Sequence, residues 1–533
     1  MSERGEGLVL VGLPGAGKSA VGRLLGQRLG RPFVDVDQWV EQTTGRTPAD
    51  LILENGEARL RAADAQAVRE VCAEHPSAII ATGGGTVIDP LNRWLLWQHG
   101  RTVWLDAPDA VLMQRLTRDP VPRPLAPDVE ALARRRIERL PFYRAADLRT
   151  DATAAPDLIA GAIQDQMARP LGAARLFDAE AVRHHHQGPE YARILFGRDL
   201  DREALAPVLE ELGAARATVF ADEHAARALP GLLAALGAAR CRPLEGGEEL
   251  KQLGRIGELL RWLSETGAER GDPVVAFGGG TVGDAAGFVA AVYLRGVPFV
   301  QVPTTWLAQV DSALGGKVGV NLPGAKNAVG AFWPPVAVIA DVAALRHLPR
   351  SAAKDGMVES LKAALIGDPA LWTLIEERGE AALGEDEAAR YAIVERAARV
   401  KLTIADRDPT ETGERRQLNL GHTLGHALEV ESSFRLPHGE AVALGLRAVA
   451  NLAAARGGER GLAERIEALL DALAFPRHRA FQAEAVRRAL LTDKKRSRGR
   501  LRWLLPMEVG RVQEVDDVSE HEVDGMLRHI SAP

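Results

Sequence analysis

The sequence predicts an α/β protein in three parts: a parallel sheet behind a phosphate-type loop, a second α/β layer, and a wholly helical segment. Three observations carry this. Apolar runs LVLVG (8–12), AIIATGGG (78–85) and TVWLDA (102–107) alternate with helical stretches, the pattern of a parallel sheet with crossover helices. The alternation fades over RPLGAARLFDAEAVRHHHQGPE and resumes at ARATVFAD (215–222), DPVVAFGGG (272–280) and FVQVPTTW (299–306). Beyond about residue 345 the chain turns rich in Ala, Leu, Glu and Arg at helical spacing, with few strand signals. The expected division is therefore a phosphate-loop domain at 1–168, a linker at 169–189, an α/β domain at 190–344 and an all-helical domain at 345–533.

Composition bounds the function. Of 533 residues, 46% are hydrophobic and 26% charged, with a net charge of −6, so no basic footprint for nucleic acid or an anionic membrane is expected. Anionic small molecules would need local basic clusters. Cys72 and Cys241 have no ligand-like spacing, and a reduced cytoplasmic protein without signal peptide or membrane span is expected. Adjacent His184, His185 and His186 on an extended linker rarely converge on one ion and are not taken as a metal site.

Gly12-Leu-Pro-Gly-Ala-Gly17-Lys18-Ser19 satisfies G-x-x-x-x-G-K-[ST], after an apolar strand and before a helical pattern. Glycines there let backbone N–H groups wrap phosphates at a helix N-terminus. Gly15, Ala16, Gly17, Lys18, Ser19 and Ala20 are the nucleotide candidates, with Lys18 on the terminal phosphates and Ser19 on Mg²⁺. FVDVD then places Asp35 and Asp37 at a strand end; GEARLR supplies Arg61, ATGGG supplies Gly84, and Arg123-Pro-Leu and Arg139-Leu-Pro-Phe-Tyr143 follow. A small carboxylate polyol needs guanidinium forks for its carboxylate and a carboxylate for its hydroxyl.

In this order the motifs resemble shikimate kinase over about 7–165. The resemblance implies ATP with Mg²⁺ as cofactor. Asp37 would orient the acceptor hydroxyl and Asp35 lie near the metal. Arg61 and Arg139 would grip the carboxylate, Gly84 close over the ring, and Arg123 reach the ATP phosphates from a lid. Leu60 stands where the family has Phe, and Asp64 where it has Glu. Another small-molecule kinase on the same core, such as a gluconate kinase, is the alternative.

Gly278-Gly279-Gly280-Thr-Val-Gly283-Asp284 follows an apolar strand and opens a helix, the context of a dinucleotide phosphate site. Glu359 and Lys362 lie one turn apart in KDGMVESLK; His422 and His426 stand at i, i+4 in LNLGHTLGHALE, and His438 follows in LPHGEAV. Such oxygen and imidazole donors suit Zn²⁺, and spacing alone nominates His422 with His426. Lysines in DSALGGKVGVNLPGAKN are read as a flexible Gly-rich anion-binding loop.

These runs, with VPTTWLAQVDSALGGKVGVN, PHGEAVALG and DKK, resemble 3-dehydroquinate synthase over about 190–520. The resemblance implies NAD⁺, Zn²⁺ or Co²⁺, and a metal held by Glu359, His422 and His438, with His426 as an acid/base group. NAD contacts would fall on Gly247, Glu248, Lys251, Gly280, Thr281, Val282, Gly283, Asp284, Thr304, Thr305, Lys317 and Lys326. Substrate contacts and catalytic groups would be Asp311, Arg295, Asn327, Lys362, Lys401, Arg415, Asn419 and Lys494 or Lys495. His347 and Trp306 depart from the family pattern, and neither is expected to touch the reacting centre. The implied whole is a two-activity enzyme of aromatic-ring biosynthesis acting on small molecules, with no nucleic-acid or membrane partner and room for a homodimer through the synthase half. A metal-dependent polyol dehydrogenase is the alternative for the second half, although its site would need few cations. A non-catalytic regulatory half is a third reading.

Overall fold

The computed structural model describes residues 5–118, 124–125, 127–167, 174–180, 191–200, 203, 205, 210, 216–237, 240–322, 325–496 and 501–532; the side chains of 174–180, 191, 325 and 492–496 fall outside that description. The expected positions Arg123 and His184 to His186, and the side chains of Lys494 and Lys495, lie outside the described residues. The chain divides into two compact units, Met1–Ala179 and Glu180–Pro533.

In the first unit, strands β1 (Gly7–Val11), β2 (Phe33–Asp35), β3 (Ile79–Ala81), β4 (Gly100–Asp106) and β5 (Leu148–Asp151) form a parallel sheet in the order β2-β3-β1-β4-β5. β1 is buried along its whole length, as an interior parallel strand covered on both faces requires. The chain leaves it through Gly12 (φ 144°), Gly15 (81°) and Gly17 (90°), conformations closed to most L-residues, and enters helix α1 (Lys18–Leu29). Helix α2 (Val36–Thr44) is capped by Asp35, whose carboxylate accepts from Asp37 N at 3.1 Å. Asp37 therefore stands on the first helical turn rather than at the strand end: once the Asp35 side chain satisfies that amide, helix is the favoured continuation. Helices α3 (Glu57–Glu74) and α4 (Val129–Arg144) complete the walls used below.

The second unit is built on a parallel layer. Strand β6 (Ala174–Glu180) spans the division between units. Strands β7 (Tyr191–Gly197), β8 (Thr218–Asp222), β9 (Arg240–Leu244), β10 (Val274–Gly278), β11 (Phe299–Pro303) and β14 (Ala337–Asp341) stand in the order β7-β14-β11-β10-β8-β9. Helix α5 (Gly280–Val292) follows β10 and buries Val282, Ala286 and Val289 in a core with Phe220, Leu259 and Phe299. The Lys- and Gly-rich stretch read as a flexible loop is instead an antiparallel hairpin, β12 (Lys317–Leu322) and β13 (Ala325–Phe332). Its period-2 alternation explains why: Val318 and Val320 drop into the same core while Lys317 faces out.

The helical part carries α6 (Arg350–Gly367), α7 (Glu387–Arg407), α8 (His422–Glu431), α9 (His438–Ala455) and α10 (Ala483–Arg496). It also contains one hairpin that the helical expectation did not include, β15 (Trp503–Glu508) and β16 (Arg511–Val515). Its first strand is almost wholly buried, and Gly510 turns the chain at φ 88°. No helix of the described residues is long and apolar enough to cross a membrane.

Candidate active sites

In the first unit the phosphate loop lines a cavity of about 410 Å³ with Arg115, Asp35, Asp37 and Gly84. A second cavity of about 710 Å³ is lined by Arg61, Asp64, Arg135, Arg139 and the Gly83–Gly85 turn. Ser19, Asp35, Asp37 and Gly84 line both, so Asp37 stands where a nucleotide in one cavity meets an acceptor in the other. Lys18 Nζ rests on the carbonyls of Gly12 and Leu13 at 2.8 and 3.1 Å. Ser19 Oγ donates to Asp35 Oδ2 at 2.5 Å; the hydroxyl and carboxylate are adjacent oxygen donors of the kind Mg²⁺ takes.

The acceptor cavity holds a charge imbalance. Arg139 is only 2% exposed, yet its Nε and one terminal nitrogen have no hydrogen-bond partner among the described residues. Leaving guanidinium donors buried and unsatisfied costs free energy that an anionic ligand would recover. Arg61 is already committed, at 2.7 Å to both Glu57 and Asp64, and Glu57 also pairs with Arg135 at 3.0 Å. Burial pushes the Asp64 carboxyl up to about 7, opposed by Arg61 and assisted by nearby Asp37. The glycine triplet lies against the site's side chains: a Cβ on Gly85 would sit 2.3 Å from an Arg61 nitrogen, and one on Gly84 2.9 Å from the Pro14 ring and 3.1 Å from Arg139. Tyr143 donates to the Gly84 carbonyl, joining the last motif to that turn. Arg115, which the motifs did not nominate, donates to the Gly15 carbonyl at 3.3 Å.

In the second unit the structure gathers Glu359, His422 and His438 so that one ligand atom of each lies within 4.8 Å of the others. Both Nε2 atoms stand 3.5 Å from Glu359 Oε1. The opposite ring nitrogens have outer partners: His422 Nδ1 lies 3.1 Å from the Leu420 carbonyl and His438 Nδ1 3.4 Å from Glu429. Such partners fix a ring with its other nitrogen toward a metal. Glu359 is ionised: burial opposes its charge, but Lys362, His422 and His438 hold its carboxyl well below the usual range. Burial and Lys362 keep His422 neutral. Burial also opposes charge on His438, but Glu359 and Glu429 lift it to about 10. One buried carboxylate and two oriented imidazoles fit a Zn²⁺-type ion. His426 is not among the residues whose ligand atoms converge, although its ring is as near to that of His422, 5.1 Å, as the ring of His438 is, 5.3 Å.

Backbone proximity makes the trio. α8 and α9 cross so closely that a Cβ on Gly445 would lie 2.0 Å from the Gly421 carbonyl. The Gly439 amide donates to Asp355 at 2.9 Å, docking the start of α9 onto α6, which carries Glu359. Trp306, not expected to touch the reacting centre, is fully buried and donates through its indole nitrogen to Ser360 at 3.1 Å. It packs against Gly356 of α6, so it braces the turn carrying Glu359.

Cations ring the trio. Lys362 pairs with Glu359, and Lys401 with Asp311, which sits on a π-helical turn, Ala308–Ser312. Arg415, 2% exposed, donates to the Pro409 and Gly315 carbonyls at 2.7 and 2.9 Å. On the glycine-turn side, Lys251 donates to Asp284 at 2.7 Å and to Asn327. Asn321 donates to Glu248 at 2.7 Å, and the Gly247 amide lies 3.4 Å from Thr281 Oγ1. Thr305 closes against Gly279, where a Cβ would meet its methyl at 3.0 Å. Lys326 lies 4.3 Å from the ring centre of Phe434. Arg295 is not brought in: it is exposed, just past the far end of α5 from Gly280, and a helix of 13 residues is roughly 20 Å long. His347 is also exposed. Sequence reasoning missed four carboxylates: Glu429, Asp355, Glu411 and Asp222. Asp222 ends β8 beside the glycine turn, the place where an acidic residue meets a dinucleotide ribose.

The two sites define a small-molecule phosphotransferase joined to an enzyme with dinucleotide-type and metal-type subsites. Family models match accordingly: shikimate kinase over 14–168, and the N-terminal and C-terminal parts of 3-dehydroquinate synthase over 242–355 and 356–496. A 3-dehydroquinate synthase of Koribacter versatilis is 40% identical over 282 residues, 52% of this chain and 77% of that protein. A 2-epi-valiolone synthase of Actinosynnema mirum is 40% identical over 341 residues, 62% and 89%. Among solved structures, a 2-epi-5-epi-valiolone synthase of Streptomyces hygroscopicus with NAD⁺ and Zn²⁺ bound is 26% identical with a TM-score of 0.60, covering 65% of this chain and 98% of that one. The chain belongs to the 3-dehydroquinate synthase family and carries a shikimate kinase domain in front of it.

Proposed function

We propose that the first unit transfers the terminal phosphoryl group of ATP to shikimate. The second unit converts 3-deoxy-arabino-heptulosonate 7-phosphate to 3-dehydroquinate and phosphate. In the first, Asp37 accepts the hydroxyl proton at the junction of the two cavities. Arg139 meets the substrate carboxylate with its unpartnered nitrogens, Lys18 turns to the phosphates, and Ser19 and Asp35 hold Mg²⁺.

In the second unit, NAD⁺ on the glycine turn supplies a reversible hydride acceptor, and a Zn²⁺- or Co²⁺-type ion on Glu359, His422 and His438 supplies an electrophile for substrate oxygens. His426 moves a proton beside that ion, while Lys362, Lys401, Arg415 and Asn419 hold the anionic groups of the substrate. Asp222 receives the ribose. The observation that carries the synthase reading is the buried carboxylate–imidazole trio ringed by cations; a polyol dehydrogenase has no use for that ring. A second reading, in which the cyclised product is 2-epi-valiolone, is favoured by the Actinosynnema relative, of which the chain covers 89%.

The purified chain should show both activities separately. Lys18→Ala should abolish phosphorylation of shikimate and leave phosphate release from the heptulosonate substrate intact. Offering, in parallel, a heptulose 7-phosphate that lacks the carboxylate distinguishes the two synthase readings, since cyclisation with loss of phosphate keeps the carboxylate and each product needs its own substrate. Failure of the wild-type chain to release phosphate would sink the synthase proposal.

A further inference from the structure

Arg135 belongs to none of the motifs read from the sequence, yet it lines the acceptor cavity of the first unit. Helix α4 presents Leu132, Arg135 and Arg139 to that cavity, at i, i+3 and i+7 on one face. Helix α3 meets them with Glu57, on its first turn, and with Arg61 and Asp64. Glu57 is shared between the two helices. One oxygen accepts from Arg61 of its own helix at 2.7 Å, and the other from Arg135 at 3.0 Å. Burial opposes its charge, but Arg61, Arg135 and Arg139 hold the carboxyl below its usual range, so it is ionised. Arg135 also reaches the exposed Glu138 at 3.0 Å.

Arg61 and Arg139 stand against adjacent glycines, Gly85 and Gly84, so one acceptor carboxylate can meet both. Arg139 has nitrogens to offer, but both terminal nitrogens of Arg61 are engaged, with Glu57 and with Asp64. A fork from Arg61 onto a new carboxylate needs a terminal nitrogen, and so competes with one of these two. Asp64 is buried and Glu57 half-buried, which makes Glu57 the one able to turn away. Left without a cation, a half-buried carboxylate would cost free energy. We infer that Arg135 is a positioning residue of the kinase site: it keeps Glu57 paired, so that Arg61 can turn from Glu57 to the carboxylate of the acceptor beside Arg139. This rests on the shikimate reading of the cavity. Arg135 acts on the acceptor through Glu57 and touches neither acceptor nor nucleotide.

The test is Arg135→Leu in the full chain, with Arg135→Lys as a charge-keeping control and Glu57→Gln as a second background. Shikimate binding is followed by calorimetry without ATP, and steady-state phosphorylation gives kcat and both Michaelis constants. Arg135→Leu should weaken shikimate binding roughly fivefold and raise its Michaelis constant alike. Both kcat and the Michaelis constant for ATP should stay within about twofold of wild type, since only acceptor binding is touched. Arg135→Lys should restore shikimate affinity to within about twofold of wild type. In the Glu57→Gln chain, Arg135→Leu should change shikimate affinity by less than about twofold, because the group it acts on is gone. Weakening of equal size in both backgrounds overturns the inference and puts Arg135 on the acceptor itself. Unchanged shikimate affinity in a folded Arg135→Leu chain, or a loss confined to kcat, overturns it as well and leaves the kinase reading standing. If Arg135→Leu does not fold, Arg135→Gln takes its place with the same expectation. A wild-type chain that neither binds nor phosphorylates shikimate overturns the kinase reading and the inference with it.

Discussion

The two sites meet anions in opposite ways. The kinase-type site keeps part of its charge open: Arg61 and Arg135 are paired with carboxylates, but Arg139 is buried with two guanidinium nitrogens unpartnered among the described residues, and the phosphate loop presents backbone amides. The synthase-type site is neutralised from within. Lys251 pairs with Asp284, Lys317 with Glu411, Lys362 with Glu359 and Lys401 with Asp311. A backbone receptor costs little to keep empty, because its amides are solvated and its shape is set by glycines. A receptor of buried side-chain cations would repel itself apart without internal anions. The second site therefore spends part of each cation's attraction on its own carboxylates, and its substitutions should shift metal content and binding as much as turnover.

The largest expected effect separates the three histidines. His438→Ala should lose most bound metal, measured by elemental analysis after dialysis, because each ligand bond is a large share of affinity. His426→Ala should keep the metal and turn over about 10²–10⁴-fold more slowly. The reverse pattern would make the i, i+4 pair His422 and His426 the true ligands.

Next, Arg139→Ala should raise the Michaelis constant for shikimate by an amount worth about 2–5 kcal/mol, with that for ATP much less affected. Equal effects on both substrates would show that the unpartnered nitrogens do not face the carboxylate.

A smaller effect is expected from geometry alone. Gly445→Ala pushes a methyl against the Gly421 carbonyl and should destabilise the second unit by about 1–3 kcal/mol. It should also lower metal occupancy, since the same crossing brings His422 to His438. Wild-type occupancy in a destabilised variant would uncouple the crossing from the metal.

A pH-dependent effect tests the first site's own buried carboxyl. Asp64 is held near 7 in the folded state against an ordinary value of 3.8. Between those values the folded chain binds more protons than the unfolded one, so stability of the first unit falls as pH rises through about 4 to 7, by at most about 4 kcal/mol. Asp64→Asn should flatten that slope in thermal unfolding followed against pH. An unchanged slope would place the titration elsewhere.

The difference between the sites also explains what could be read beforehand. The phosphate loop, the glycine turn after β10 and the strands leading into them are local, and their residues are neighbours in sequence. Hydrophobic runs and glycine placement set them directly. The β12–β13 hairpin was misread because its glycines and lysines look like loop, whereas Val318 and Val320 find their partners only in the assembled core. The bracing contact of Trp306 left no mark in the sequence because its partner, Ser360, is 54 residues away.

By itself the sequence determined the α/β-then-helical order, the phosphate-binding turns and the residue types available for a metal. Those depend on periodicity and short-range backbone geometry, which are properties of consecutive residues. The tertiary structure decided which donors converge. Spacing put His422 with His426, but the close crossing of α8 on α9 and the docking of Gly439 on Asp355 put His422 with His438 and Glu359. It also decided which charges are spent internally, as Glu411, Asp284 and Asp311 show, because an ion pair between distant segments is fixed by packing and leaves no mark on either segment alone.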